Sequence, residues 1–410
     1  MIQALNPVRL ALVAALSAAI MTCSIPSGSA AAARCAAQGL GTTSPLSAVV
    51  TPNSDSTTIP GGIVIASAPS DKITALGGAA MAPDGADAET YMLNWKYPPH
   101  GQGPSSSPNP RGWTVQLTVA GTANVEFEVY AHGNAAWNIT VDGHPSSDVP
   151  QTDSAITIGK NLIRFTLPNT GEHAIRFYMN NLSLGRVFAD PGSKAQAWPS
   201  TGPRVFFLGD SLTQGGAQSS GGELGSWIWR FSGQCGFADV WDGGIGGTGS
   251  INTGADGLWA DYATRVATDV APAAPDIVFI TSYYGDRTYL PADIAAAFTR
   301  AIDQAQALPS RPSVIVTGTY DPRGDNDEPY RDIDAALLAA CTARGVPYIE
   351  PRTGNVYDGS GRVLVPAGDG GPWITPANRE AFIGADGVHQ TDAGQAYMAQ
   401  RMYNAYRALA

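Results

Sequence analysis

A serine hydroxyl attacks a carbonyl only when a base beside it takes its proton, and that base is nearly always a histidine held by a carboxylate. Ser211 stands directly behind an apolar run in "FFLGDSLTQGG", and from Arg204 onward the sequence contains a single histidine, His389. It lies in "GADGVHQTDAGQ", with Asp386 three residues ahead. That spacing lets one turn bring the carboxylate to one imidazole nitrogen and leave the other facing outward. The Gly/Asp-rich surroundings predict a loop, where binding and catalytic groups collect. Taken alone, Ser211 reads as a helix N-cap whose oxygen accepts a backbone N–H. The histidine and aspartate shift that reading to a nucleophile.

The elements that must bring these residues together follow from the period of the apolar residues. From Arg204, "RVFFLGD", "PDIVFITSYYGD", "SVIVTGTYD" and "VPYIEP" are apolar strands, separated by the helical stretches "ELGSWIWRFSGQC", "PADIAAAFTRAIDQAQAL" and "YRDIDAALLAACTARG" and closed by "AGQAYMAQRMYNAYRAL". Strands apolar throughout and alternating with helices predict a parallel sheet covered on both faces, an α/β/α sandwich over residues 199–410. In such sheets reactive groups gather at the carboxyl ends of the strands, which is where Ser211 falls.

These residues resemble the GDSL or SGNH hydrolases over roughly the second half of the chain. "GDSL", Gly209–Leu212, corresponds to the first motif of that family, with its nucleophilic serine, and "DGVH", Asp386–His389, to its last, with the acid and base. The second motif is recognisable in "DGGIGGTGS", where the glycine whose N–H joins the oxyanion hole falls on Gly247, with Gly246 one place away. The third departs from the pattern: where Gly-x-Asn-Asp is usual, the sequence has "SYYGDR", with Asp286 at the final aspartate and Gly285 at the asparagine. The resemblance therefore implies a serine esterase with Ser211, His389 and Asp386 as its triad. The N–H groups of Ser211 and Gly247 form the oxyanion hole, with the Gly285 N–H or the hydroxyl of Tyr283 or Tyr284 standing in for the absent asparagine. It implies no metal and no cofactor. Candidate substrate contacts are Asp210, Tyr283, Tyr284 and Trp373, with Tyr320 as a further aromatic face.

Ahead of this half, "WTVQLTVAG", "NVEFEVYAHG", "WNITVDG", "NLIRFTLPNTG" and "EHAIRFYMNN" alternate at period two between Gly, Asn and Asp turns, predicting an all-β, jelly-roll-like sandwich over residues 44–198. Residues 1–33 have the layout of a secretory signal, with the apolar run "LALVAALSAAIM" followed by "SGSAAAA", and residues 34–43 begin the mature chain. The expected location is thus outside the cytoplasm. Cleavage leaves Cys35, Cys235 and Cys341, from which three single disulfides can be drawn. A net charge of −11, with only 14% charged residues, supplies no basic field for nucleic acid or anionic lipid, and no stretch after the signal is long enough to span a membrane. Two-domain relatives of this kind resemble carbohydrate esterases, which implies an acetylated polysaccharide as substrate. A general lipase, arylesterase or thioesterase is the second reading, and a binding protein on a decayed hydrolase fold the third.

Overall fold

The computed structural model describes residues 46–409 except 47, 55, 79–80, 84–91, 95–111, 148–149, 255–256, 258, 326–329 and 365–369. The signal layout and Cys35 lie outside the described residues. Two sheets divide the rest.

The first is antiparallel and holds β1 (Ala48–Pro52), β2 (Ile63–Ser67), β3 (Thr74–Leu76), β4 (Met81–Pro83), β5 (Met92–Asn94), β6 (Trp113–Ala120), β7 (Asn124–Val141), β8 (His144–Pro145), β9 (Gly159–Thr166), β10 (His173–Ala189) and β11 (Lys194–Ala197). Its frame is the pair β7 and β10, 18 and 17 residues long, aligned antiparallel from end to end. "NVEFEVYAHG" and "WNITVDG" are two halves of β7, and the Gly-Asn between them is no hairpin. Gly133, Asn134 and, across the ladder, Asn181 adopt positive φ, and the register slips between Asn180 and Leu182. Both strands bend there, so each contributes to two facing layers. Phe127, opposite Val187, accordingly stacks on Phe177, opposite Ile139, with centroids 4.4 Å apart. Trp137 and Phe165 complete that core edge-on.

The second sheet has the order β13 (Asp239–Gly244), β12 (Arg204–Gly209), β14 (Ile277–Thr281), β15 (Ser313–Thr317), β16 (Tyr348–Glu350), β17 (Asn355–Tyr357), β18 (Val363–Leu364). The first five are parallel; β17 and β18 add an antiparallel edge, so the sheet is not parallel throughout. Period-two alternation sends Phe207 and Phe279 to one face, against helices Trp227–Cys235 and Asp392–Ala408. It sends Phe206, Leu208, Val278 and Ile280 to the other, against helices Pro291–Gln306 and Tyr330–Thr342. Three layers result. Because β12 has β13 on one side and β14 on the other, the loops after β12 and β14 leave in opposite directions around a crevice, the place where open α/β sheets bind ligands.

The domains meet through a buried carboxylate: Asp239 accepts the Gly77 N–H at 3.0 Å and pairs with Arg204 at 2.7 Å. The sandwich also touches the loop that follows the Ser211 turn, since a Cβ on Gly221 would lie 2.8 Å from Pro150. Cys235 is disulfide-bonded, whereas Cys341 is a buried free thiol, which removes Cys341 from the pairings drawn from the sequence. Among the described residues no helix is long and apolar enough to cross a membrane, and no cluster of three metal-ligating side chains occurs.

Candidate active site

β12 ends at Gly209, where any side chain would run into the hydroxyls of Thr213 and Thr281. The chain then turns into the short helix Ser211–Gln214. Its N-cap is Asp210, whose Oδ1 accepts the Leu212 N–H at 2.9 Å. The capping role that the serine could have filled thus belongs to its neighbour, and the Ser211 oxygen is free to face His389. Asp210 is 2% exposed, so it is a structural cap and not a substrate contact. Its Oδ2 accepts the Ser282 hydroxyl at 2.7 Å, and the Gly285 N–H is directed at the same carboxylate. Burial pushes this carboxyl up to about 6 despite those hydrogen bonds.

His389 Nε2 lies 2.8 Å from Ser211 Oγ, and His389 Nδ1 lies 2.7 Å from Asp386 Oδ2. Asp386 Oδ1 accepts the N–H groups of Val388 and His389 at 2.9 and 3.0 Å, which fixes the carboxylate plane relative to the ring. Burial raises the Asp386 carboxyl, but these bonds and the imidazole outweigh it and hold the group below the usual carboxylate range. The turn is closed by Gly387 at φ +73° and by Gly384 N–H to His389 O at 2.8 Å, and it is braced by Tyr320, whose hydroxyl donates to Val388 O at 2.9 Å.

Of the two candidate glycines after β13, Gly246 donates its N–H to Gln214 Oε1 at 2.9 Å, while the Gly247 N–H has no partner among the described residues. The Ser211 N–H likewise has none. Gly247 is exposed, at φ +76°, with open space around its Cα. The loop that carries it is anchored by Asp286, fully buried, which accepts the N–H groups of Ser250, Ile251 and Asn252 and the Ser250 hydroxyl, at 2.6 to 3.2 Å.

The third loop corrects several expectations. A Cβ at position 285 would collide with the Thr248 carbonyl, so no asparagine fits there, and the Gly285 N–H is directed at the buried Asp210 carboxylate. Tyr283 is fully buried and its hydroxyl donates to Asp334 at 2.8 Å; it neither reaches the triad nor faces substrate. Trp373 and Tyr320 are also buried. Ser282 at φ +66° turns the chain so that Tyr284, next along, is left half-buried, with the Arg287 guanidinium 4.1 Å from its ring. Burial raises the Tyr284 hydroxyl, as do Asp386 and Asp210 through their charges, against Arg287 and Arg323; it stays a protonated donor at neutral pH. Of the four aromatic candidates, Tyr284 alone keeps exposed surface.

Sequence reasoning missed three supports. Gln214 ties the Ser211–Gln214 helix to the loop after β13, across 32 residues. Arg265, 1% exposed and paired with Asp269 at 3.0 Å, donates to the carbonyls of Gly209 and Gly243, holding the ends of β12 and β13 in register. Asp392 accepts from the Ser220 N–H and hydroxyl, both at 2.8 Å, fastening the loop after the Ser211 helix to the last helix. None carried a sequence signal, because each acts through a partner that only the fold brings near.

The model of the GDSL-like Lipase/Acylhydrolase family matches residues 207–397. No curated protein matches the sequence. Among solved structures, the salicylyl-acyltransferase SsfX3 from a tetracycline biosynthetic pathway is 12% identical, with TM-score 0.58, over 83% of this chain and 95% of that one. A putative GDSL-like lipase from Bacteroides ovatus ATCC 8483 is 14% identical, with TM-score 0.51, over 86% and 96%. A family two carbohydrate esterase from Cellvibrio japonicus is 14% identical, with TM-score 0.49, over 88% and 99%. The first two share the two-domain fold at identities too low to carry an activity. With its Gly-Asp-Ser-Leu turn behind the first parallel strand and Asp386 and His389 before the last helix, the domain spanning residues 207–397 belongs to the GDSL-like lipase/acylhydrolase family.

Proposed function

We propose that this chain is an exported serine esterase that removes acetyl groups from a polysaccharide. The observation that carries the reading is the unbroken line from Ser211 Oγ through His389 to Asp386, with steps of 2.8 and 2.7 Å. His389 takes the serine proton as Ser211 Oγ bonds to the ester carbonyl carbon, and Asp386 stabilises the imidazolium. The carbonyl oxygen, now an anion, is received by the N–H groups of Ser211 and Gly247 and by the Tyr284 hydroxyl in place of the missing asparagine. Collapse expels the sugar alkoxide, which takes the proton from His389. Water, deprotonated by the same imidazole, then cleaves the acyl-serine to acetate and restores the enzyme.

The polysaccharide part is supported by the sandwich, which abuts the loop after Ser211 at Pro150 and Asn180. With Tyr283, Trp373 and Tyr320 buried, any sugar-stacking face at the site falls to Tyr284. Export is supported by the N-terminal layout of the sequence and by the disulfide at Cys235.

The test is a panel of acetyl, butyryl and octanoyl nitrophenyl esters with acetylated xylan and glucomannan, run on wild type and Ser211→Ala. Activity confined to acetyl esters and lost in Ser211→Ala is the expected result. Preference for long chains indicates a general lipase. Absence of serine-dependent turnover on every substrate sinks the esterase reading. Mass spectrometry of the N-terminus of secreted protein tests export.

A further inference from the structure

Between the two domains lies a cavity of about 350 Å³ that no triad residue lines. Thr140, Arg176 and Tyr178 form its wall on the sandwich side, and Trp229, Ser232 and Gln234, on the helix after the nucleophile loop, form the other. Its volume is in the range of small-ligand sites, roughly 300–1,000 Å³. Three features set it apart from a mere domain seam.

The first is its polar atoms. Thr140, Ser232 and Gln234 place polar residues along its lining. The second is its aromatic wall, where Tyr178 and Trp229 meet edge to face at 6.1 Å and offer apolar surface to the C–H face of a ring.

The third is charge. In a chain of net charge −11, Arg176 and Arg230 line this cavity and none of its described lining residues is acidic. Arg176 is held in place by Nε to Gln116 Oε1 at 3.0 Å and by the Trp198 ring 4.8 Å from its guanidinium carbon. Its terminal nitrogens make no hydrogen bond among the described residues, leaving the planar fork that recognises a carboxylate.

We propose that this cavity is a second binding site, for a glycan segment carrying a carboxylate: a uronic acid residue whose acid group meets Arg176 and whose ring lies against Tyr178 and Trp229. Its occupancy does not depend on the esterase chemistry, because the triad takes no part in it.

Titration calorimetry on the full chain tests the site with two probes, a glucuronic-acid-substituted xylotetraose and unsubstituted xylotetraose. The charged probe should bind wild type and Ser211→Ala alike, and at least tenfold tighter than the neutral one. Arg176→Gln should erase that preference. Gly233→Phe should abolish binding while leaving nitrophenyl acetate turnover unchanged, because Gly233 lines the cavity and a Cβ there meets no atom within 4 Å. Three outcomes overturn the proposal: no binding of the charged probe to wild type, full binding to Gly233→Phe, or binding lost in Ser211→Ala, which assigns the ligand to the triad. Equal affinity for both probes overturns the carboxylate assignment.

Discussion

Replacing Asp386 by asparagine keeps its shape and removes its charge, and the geometry says which half of the amide goes where. Oδ1 accepts two backbone N–H groups, from Val388 and His389, so the amide oxygen must stay there and the NH₂ must take the place of Oδ2, 2.7 Å from His389 Nδ1. A donor now faces Nδ1, and the imidazole shifts its proton to Nε2. The ring then donates to Ser211 Oγ instead of accepting from it, and the base is gone. Flipping the amide to rescue the tautomer breaks two backbone hydrogen bonds at about 1 kcal/mol each, which leaves roughly one molecule in 30 competent. The lost carboxylate no longer stabilises the imidazolium, and an equivalent change in another triad lowers kcat by about 10⁴, or about 5 kcal/mol in all. Steady-state turnover of nitrophenyl acetate measures the rate and thermal melting the stability. Asp386→Asn should melt with wild type because the oxygen keeps both backbone partners, whereas Asp386→Ala should lose comparable activity and also melt lower. A kcat for Asp386→Asn within tenfold of wild type would refute the assignment of His389 as base.

Tyr284→Phe should lower kcat on the order of 10²-fold with KM little changed, while Tyr283→Phe, which loses its bond to Asp334, should lower Tm and leave kcat alone; full turnover in Tyr284→Phe removes the tyrosine from the oxyanion hole. Asp286→Ala strands three N–H groups of residues 250–252, and with each worth about 1–3 kcal/mol the variant should melt well below wild type; coincident melting curves would count against Asp286 as the anchor of that loop. Asp210, buried and raised from 3.8 to about 6, favours the folded state most below pH 3.8 and loses that contribution as pH rises through 6. Denaturant unfolding should therefore show wild type losing stability relative to Asp210→Asn between pH 4 and 7, by on the order of 3 kcal/mol; a difference that does not change with pH contradicts the burial argument.

That Ser211, Asp386 and His389 meet was legible because nucleophilic chemistry restricts residue type and because the domain has only one histidine to offer. What surrounds them was not, for reasons that are geometric. Tyr283 and Tyr284 are adjacent and chemically identical, and which one faces outward is set by Ser282 in the left-handed region, a conformation that a serine gives no reason to expect. Aligning "SYYGDR" with the family pattern exposed a missing donor but not its cause, which is the Thr248 carbonyl lying where a side chain at 285 would go.

The fold shows the same division. Alternation marked β6, both halves of β7, β9 and β10 as strands, yet the Gly-Asn at 133–134 carries the ordinary sign of a turn between two strands. In this chain both residues adopt the positive φ that such a turn uses, and the strand bends and continues, because β10 bends beside it at Asn181 and the ladder resumes beyond. A local sequence states what conformation a residue tolerates; whether that conformation ends a strand or only bends it depends on the partner strand, and β10 begins 39 residues beyond Asn134.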